Sequence, residues 1–300
     1  MRKAPGWLRG TVAAASVAAA SGMLVTMAAS RRWRGATDRL TGELARLAAG
    51  RAEPVSFRSL TTLPAPVQRY FRLTLRDGQP RIRTARVRQS GMFRRREGPN
   101  PEADWFPFVA TQRFSAAPPG FVWDARIRMA PLVSVRVRDR YVGGHASMLG
   151  AVGALVPVVN AANDAGLRAS ALQRYLAEAV WLPTALLPGG GVTWTPVDGR
   201  VARATLADGW TTVSLEFEFG PDGEIVAART PGRKRAVPGK PGEYVLAPWG
   251  GRFDRYEEHA GMRVPTESEA YWVMEGREQP YYRGRNVDHE YEFGAPEEDR

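Results

Sequence analysis

The feature that most constrains this chain is a change of hydrophobic period near residue 81. Before it, Leu40, Leu44 and Leu47 recur at helical spacing, from Asp38 to Gly50, and a short helix is expected through Val67–Phe71. After it, apolar residues alternate. Phe106, Phe108, Ala110, Gln112 and Phe114 share one parity, as do Phe121, Trp123, Ala125, Ile127 and Met129, and then Val133, Val135, Val137, Asp139 and Tyr141. Such runs predict antiparallel sheet buried on one face.

Hairpin chemistry supports this. Asp198-Gly199, Asp208-Gly209 and Asp222-Gly223 each sit between alternating strands. A turn at 208–209 would set Ala204 opposite Val213; one at 222–223 would set Phe219 opposite Val226 and Phe217 opposite Ala228. For 121–129 and 133–141, parity is kept only by an odd-numbered loop or a bulge. The facing pairs are then Ile127–Val135, Ala125–Val137, Trp123–Asp139 and Phe121–Tyr141, with Arg126–Arg136 and Asp124–Arg138 outside. Residues 142–168, rich in Gly and Ala, fit neither pattern. One clear helix is predicted over about 169–182, with a stripe of Leu172, Tyr175, Leu176, Ala179 and Val180 ended by Pro183. Arg174, Glu178 and Trp181 lie opposite the stripe, and a Trp there implies that this side is partly covered too.

The N-terminus carries a different signal. Thr11 to Ser30 holds no charge, and as a helix it would span roughly 30 Å. Trp7, Trp33, Arg31, Arg32 and Arg34 flank it as interfacial anchors would. Its composition is weak, with eight Ala and five Ser or Thr. An uncleaved transmembrane anchor, a signal peptide cut near Ser30 and a soluble Ala-rich helix all compete; the arginines after the run favour the anchor. The expected organisation is an anchor over 1–34, a helical stalk and linker over 35–80, a β-rich domain over 81–294 and a tail over 295–300.

The net charge of +11 is unevenly spread: residues 1–100 hold +15 and residues 101–300 hold −4. Within that basic third, Arg81, Arg83, Arg86, Arg88, Arg94, Arg95 and Arg96 crowd into residues 81–96 with only Phe93 among them. This lacks the interleaved aromatics of a nucleic-acid platform, so no nucleic acid is expected as a partner. Next to an anchor the segment would attract anionic headgroups; a solvated sheet face is the ordinary alternative.

Motifs for phosphate, dinucleotide, serine-hydrolase and zinc-protease chemistry are absent from the sequence. Gly189-Gly190-Gly191 reads as a connector, and Gly232 to Lys240 as a basic surface loop. With no Cys and with His145, His259 and His289 on separate segments, no metal, cofactor or catalytic residue is nominated. Asp288, Glu290 and Glu292 read as the wet face of an edge strand. Gln112 and Asp139 break the apolar parity of their strands. Asp139 sits either on the rim or, with Gln112 and Trp123, at a cavity mouth. The candidate ligand-lining set is Phe108, Gln112, Trp123, Ile127, Val135, Asp139, Tyr175 and Leu176. Its apolar members are expected around a void of roughly 300 Å³ or more.

Four segments carry a resemblance: Leu63-Pro-Ala-Pro-Val-Gln-Arg-Tyr-Phe71, Pro119-Gly-Phe-Val-Trp-Asp-Ala-Arg-Ile127, Arg174 to Pro188, and Pro248-Trp-Gly-Gly251. Over roughly residues 60–290 the chain resembles a family of uncharacterised bacterial proteins, a domain of unknown function that often has an N-terminal hydrophobic segment. The resemblance implies no activity. In architecture alone it is similar to half-barrel carriers of the bacterial envelope. The expectation is an α+β, β-rich fold, a curved antiparallel sheet packed on one main helix and preceded by a transmembrane helix. The expected role is non-catalytic binding of a hydrophobic or lipid-like ligand. The protein would sit single-pass in the bacterial cytoplasmic membrane; Arg2, Lys3 and Arg9 nearly balance the arginines after the run, so both sides stay open for the domain, with the extracytoplasmic one favoured. A structural or protein-binding envelope module and an enzyme of unrecognised type are the alternatives.

Overall fold

The computed structural model describes residues 6–48, 50, 53–94, 104–237, 239–240 and 242–295. Thirteen strands form one antiparallel sheet: β1 (Ile82–Arg94), β2 (Trp105–Ser115), β3 (Gly120–Ala130), β4 (Val133–Val142), β5 (His145–Val152), β6 (Val156–Ala161), β7 (Val192–Pro196), β8 (Val201–Asp208), β9 (Thr211–Phe219), β10 (Ile225–Ala236), β11 (Tyr244–His259), β12 (Met262–Met274) and β13 (Arg277–Phe293). The order β6-β5-β4-β3-β2-β1-β13-β12-β11-β10-β9-β8-β7 is two meanders joined where β13 returns to pair with β1. The sheet curls into a half-barrel around α3 (Ala165–Glu178), the link between the meanders, which packs on β3, β4 and β5 from one and on β9 and β10 from the other.

Local chemistry explains the main elements. Asp164 caps α3, its Oδ1 accepting from Leu167 N at 2.8 Å. The helix starts four residues before the expected 169 and passes into 3-10 turns at Ala179–Trp181 and Pro183–Leu186. The unassigned stretch 142–168 forms β5 and β6. The β3–β4 register is the expected one throughout, with an irregularity between Arg128 and Ala130 that preserves parity. The β9–β10 pair keeps Phe217 opposite Ala228, but an irregularity sets Phe219 opposite Ile225. The β8–β9 turn moves on by one residue: Asp208 pairs with Thr211, Gly209 takes φ 53° in the turn, and Ala204 faces Leu215 rather than Val213. Every inward residue keeps its face, because the partner shifts by two.

The structure bears on two expectations for the first eighty residues. One helix, α1 (Gly6–Leu47), runs across residues 34–35, where the sequence puts a boundary between anchor and stalk. Among the described residues no helix is long and apolar enough to cross a membrane, so the transmembrane anchor is not shown. The side chains of residues 6–22, which make up most of the uncharged run, lie outside the described ones. The C-terminal half of α1 lies on the convex face. Trp33 is buried there, its Nε1 donating to Asp124 Oδ1 at 3.0 Å, and Arg138 stacks over its ring at 4.6 Å. Leu44 packs with Val122 and Val142. Nor is 53–80 a simple linker. Val55, Leu60, Val67, Tyr70, Phe71 and Leu75 enter the main core, the middle four through a 3-10 turn (Phe57–Thr62) and α2 (Ala65–Thr74).

β13 is an interior strand, not an edge. Its Glu292, Glu290 and Asp288 pair with Arg83, Arg86 and Arg88 of β1, the last at 2.9 Å. Of the expected headgroup-binding charge at 81–96, these three arginines are thus paired across the sheet; Arg81 donates to the carbonyls of Glu53 and Pro188 and Arg94 to Gln279 Oε1, while Arg95 and Arg96 lie outside the described residues.

Candidate functional site

Between α3 and the sheet lies a cavity of about 250 Å³, somewhat under the expected size. Its aromatic wall is Phe93, Trp123, Trp181, Trp249, Phe253, Tyr281 and Tyr282; Ile127, Val137, Met148, Val159, Ala177 and Ala270 complete the apolar lining. These belong to eight strands, one face of α3 and the 3-10 turn that follows it, which explains how little of the set is local in sequence. Tyr282 can lie back over its own strand because residue 284 is glycine, where any Cβ would strike the Tyr282 ring.

The wall also holds charge. Arg174 Nη1 donates to Asp139 Oδ2 and its Nε to Glu178 Oε1, both at 2.7 Å. The second oxygen of Glu178 accepts from Gln112 Nε2 at 2.6 Å. The Arg174 guanidinium lies 5.0 Å from the rings of both Phe121 and Trp123. Burial pushes the carboxyls of Asp139 and Glu178 up, with Arg174 opposing it. Desolvation works against charged Arg174, yet the two carboxylates outweigh it and hold its pKa above the ordinary value. Across the cavity, Arg233 stacks on Trp249 at 4.6 Å and Trp272 at 5.5 Å. The sequence places residue 233 in a surface loop; it is instead on β10, only 8% exposed. A register shift between Thr230 and Arg233 turns it inward.

Of the sequence-derived set, Trp123, Ile127 and Asp139 line the cavity. Asp139 is 4% exposed and paired, so it is not on an open rim. Gln112 stands behind Glu178, and Phe108 behind Trp123 and Tyr282, with ring centroids 6.1 and 5.3 Å apart. Val135 is half-buried beside them on β4, outside the lining. Tyr175 and Leu176 lie apart. They occupy the other face of α3, where Tyr175 Oη donates to the carbonyls of Ser115 and Ala116 at 3.0 Å. Sequence reasoning missed Arg233, Trp249, Tyr281 and Tyr282. For Trp181 the signal was present, in its position beside Arg174 and Glu178.

A polar thread leaves the cavity beneath Trp123. Its Nε1 donates to Gln89 Oε1 at 2.9 Å, Gln89 Nε2 to Asn286 Oδ1 at 3.2 Å, and Asn286 Nδ2 lies 3.3 Å from His289 Nε2. His289 sits against His259, ring centroids 4.4 Å apart, so two histidines that are separate in sequence meet. Among the described residues no group of three or more His, Cys, Asp or Glu could hold a metal.

No curated protein matches the chain. Among solved structures it is similar to a domain named as an outer membrane lipoprotein-sorting protein from Vibrio parahaemolyticus, at TM-score 0.37 and 7% identity over 71% of this chain and 86% of that one. It is also similar to a LolA superfamily protein from Nitrosomonas europaea, at TM-score 0.35 and 10% identity over 78% and 93%. A β-barrel-like protein from Brucella abortus gives TM-score 0.23 and 12% identity over 71% and 99%. Residues 53–284 match the family of unknown function DUF6544, which takes in the cavity wall from Phe93 to Tyr282, and the chain belongs to that family.

Proposed function

We propose that this protein binds a hydrophobic or lipid-like ligand, without chemistry, between α3 and the sheet. The observation that carries this reading is the cavity itself: a partly open space walled by aromatic and aliphatic side chains, in a domain with ample apolar mass to fill it. The volume suits one acyl chain or a compact apolar molecule rather than a two-chain lipid.

A membrane is the proposed place of action, and α1 supports it. Leu44 sits by Val122 and Val142, Trp33 by Asp124 and Arg138, and Ala29 in a groove with Ala154 and Leu155. The helix therefore climbs toward the β5–β6 turn, and Met23, Leu24, Val25 and Met27 are exposed beyond it. Leu132 at the β3–β4 turn and Leu155 and Val156 at the β5–β6 turn are exposed at the same end. These apolar tips, with exposed Arg31, Arg32 and Arg34, suit an anionic bilayer surface. A protein-binding module is the second reading, favoured by the exposed edge strand β6 with Val156, Val158 and Val159. The test is native purification from membranes, followed by mass spectrometry of the extracted lipid. A stoichiometric single-chain species is expected; a partner protein co-purifying with lipid-free chain would favour the second reading.

A further inference from the structure

We propose that the ligand is an amphipathic anion, its acidic head held at Arg233 and its chain along the aromatic wall; this rests on the cavity being a ligand site. The argument is one of charge satisfaction. Each carboxylate in the lining is ion-paired directly to a guanidinium. Asp139 and Glu178 share Arg174, and Glu269 is held by Arg252 at 2.8 Å and Arg283 at 3.0 Å. Arg233 has no carboxylate within 4.0 Å among the described residues and acts on Asp139 only at longer range.

Its remaining contacts are neutral. Nη2 donates to the carbonyl of Ser170 at 3.2 Å, Nη1 reaches the Tyr281 hydroxyl at 3.5 Å, and Nε has no partner. A guanidinium nine-tenths buried with only neutral acceptors lacks the counter-charge that such groups ordinarily take. Trp249 and Trp272 stack on its plane and fix it there, while Trp249 Nε1 donates to the Tyr281 hydroxyl at 3.0 Å and holds that group in line. The Trp181 indole N–H, in the same wall, is also buried without an acceptor. Both unmet groups are donors, so the matching head is an oxyanion. Carboxylate and phosphate share that chemistry, and at this volume either would carry a single chain.

The experiment is displacement of neutral N-phenyl-1-naphthylamine from the full chain by decanol, decanoate or decyl phosphate. The acids are expected to bind at least about ten-fold more tightly than the alcohol, as a charged hydrogen bond to Arg233 would give. The better acid identifies the head. Arg233→Met should erase the difference and leave decanol unchanged. Equal binding of alcohol and acids by the unsubstituted protein overturns the proposal while leaving the cavity reading intact, and needs no variant to fold. A preference that survives Arg233→Met overturns it as well. No displacement by any of the three defeats the cavity reading, and the proposal with it.

Discussion

The two faces of α3 are both buried, yet they are built on different principles. Leu172, Tyr175 and Leu176 form one face, fully buried in the main core; Tyr175 spends its one hydroxyl on backbone carbonyls. Arg174, Ala177, Glu178 and Trp181 form the other, toward the cavity, where charges are paired rather than solvated. The difference teaches that polarity on a helix face marks the absence of close apolar packing, not the presence of solvent. A polar face folded inward keeps a space open, because Arg174, held by Asp139 and Glu178, cannot swing into it as a leucine would.

The largest effect that could break this comparison is expected from Arg174→Leu. It leaves Asp139 and Glu178 buried without a counter-charge and should cost about 3–5 kcal/mol in urea unfolding. A loss below about 1 kcal/mol would mean that the triad is solvated and that the two faces do not differ as described. Next comes the packed face. Leu176→Ala should cost about 3 kcal/mol, whereas Ala177→Val, one position on and facing the space, should cost less than about 1 kcal/mol. Equal losses would erase the distinction.

Titration sharpens it further. Burial depresses the His289 pKa from its ordinary 6.5 to about 4, with His259 adding to the effect. A depressed folded value favours neutral histidine. Its contribution is therefore complete above about pH 6.5 and is lost as pH falls toward 4, up to about 3 kcal/mol. The raised carboxyls of Asp139 and Glu178 have the opposite sign. Their contribution is complete below about pH 4 and is lost as pH rises through their folded values. Unfolding free energy measured between pH 4 and 7 should therefore lose much of its acid-side decline in His289→Gln. An unchanged profile would remove His289 from the account.

How much of this was legible in the sequence depended on how local each determinant is. The β3–β4 register could be read in full because parity and a short turn leave only one arrangement, and it set Asp139 beside Trp123. The β1–β13 pairing could not be read, since strands some 200 residues apart share no turn. Without it, Asp288, Glu290 and Glu292 pass for a solvated edge. The same distance hid the meeting of His259 with His289. Arg233 was hidden by a local irregularity that reverses parity within a stretch that otherwise reads as a basic loop. On α3 the stripe was found but assigned to the wrong role: Tyr175 and Leu176 are core, and the residues opposite them line the space.

The central claim is that the space beside the charged face of α3 takes an apolar ligand, and Gly251 offers the most direct test. A Cβ there meets only ordinary contacts, at 3.5 Å from Glu269 O and from Trp249, so Gly251→Leu adds bulk to the cavity without a backbone clash. The measurement is the fluorescence titration of N-phenyl-1-naphthylamine into the unsubstituted protein and into Gly251→Leu. The account predicts saturable one-site binding by the first and at least about ten-fold weaker binding by the second, with unfolding midpoints alike. Equal binding by both, or none by either, would contradict it.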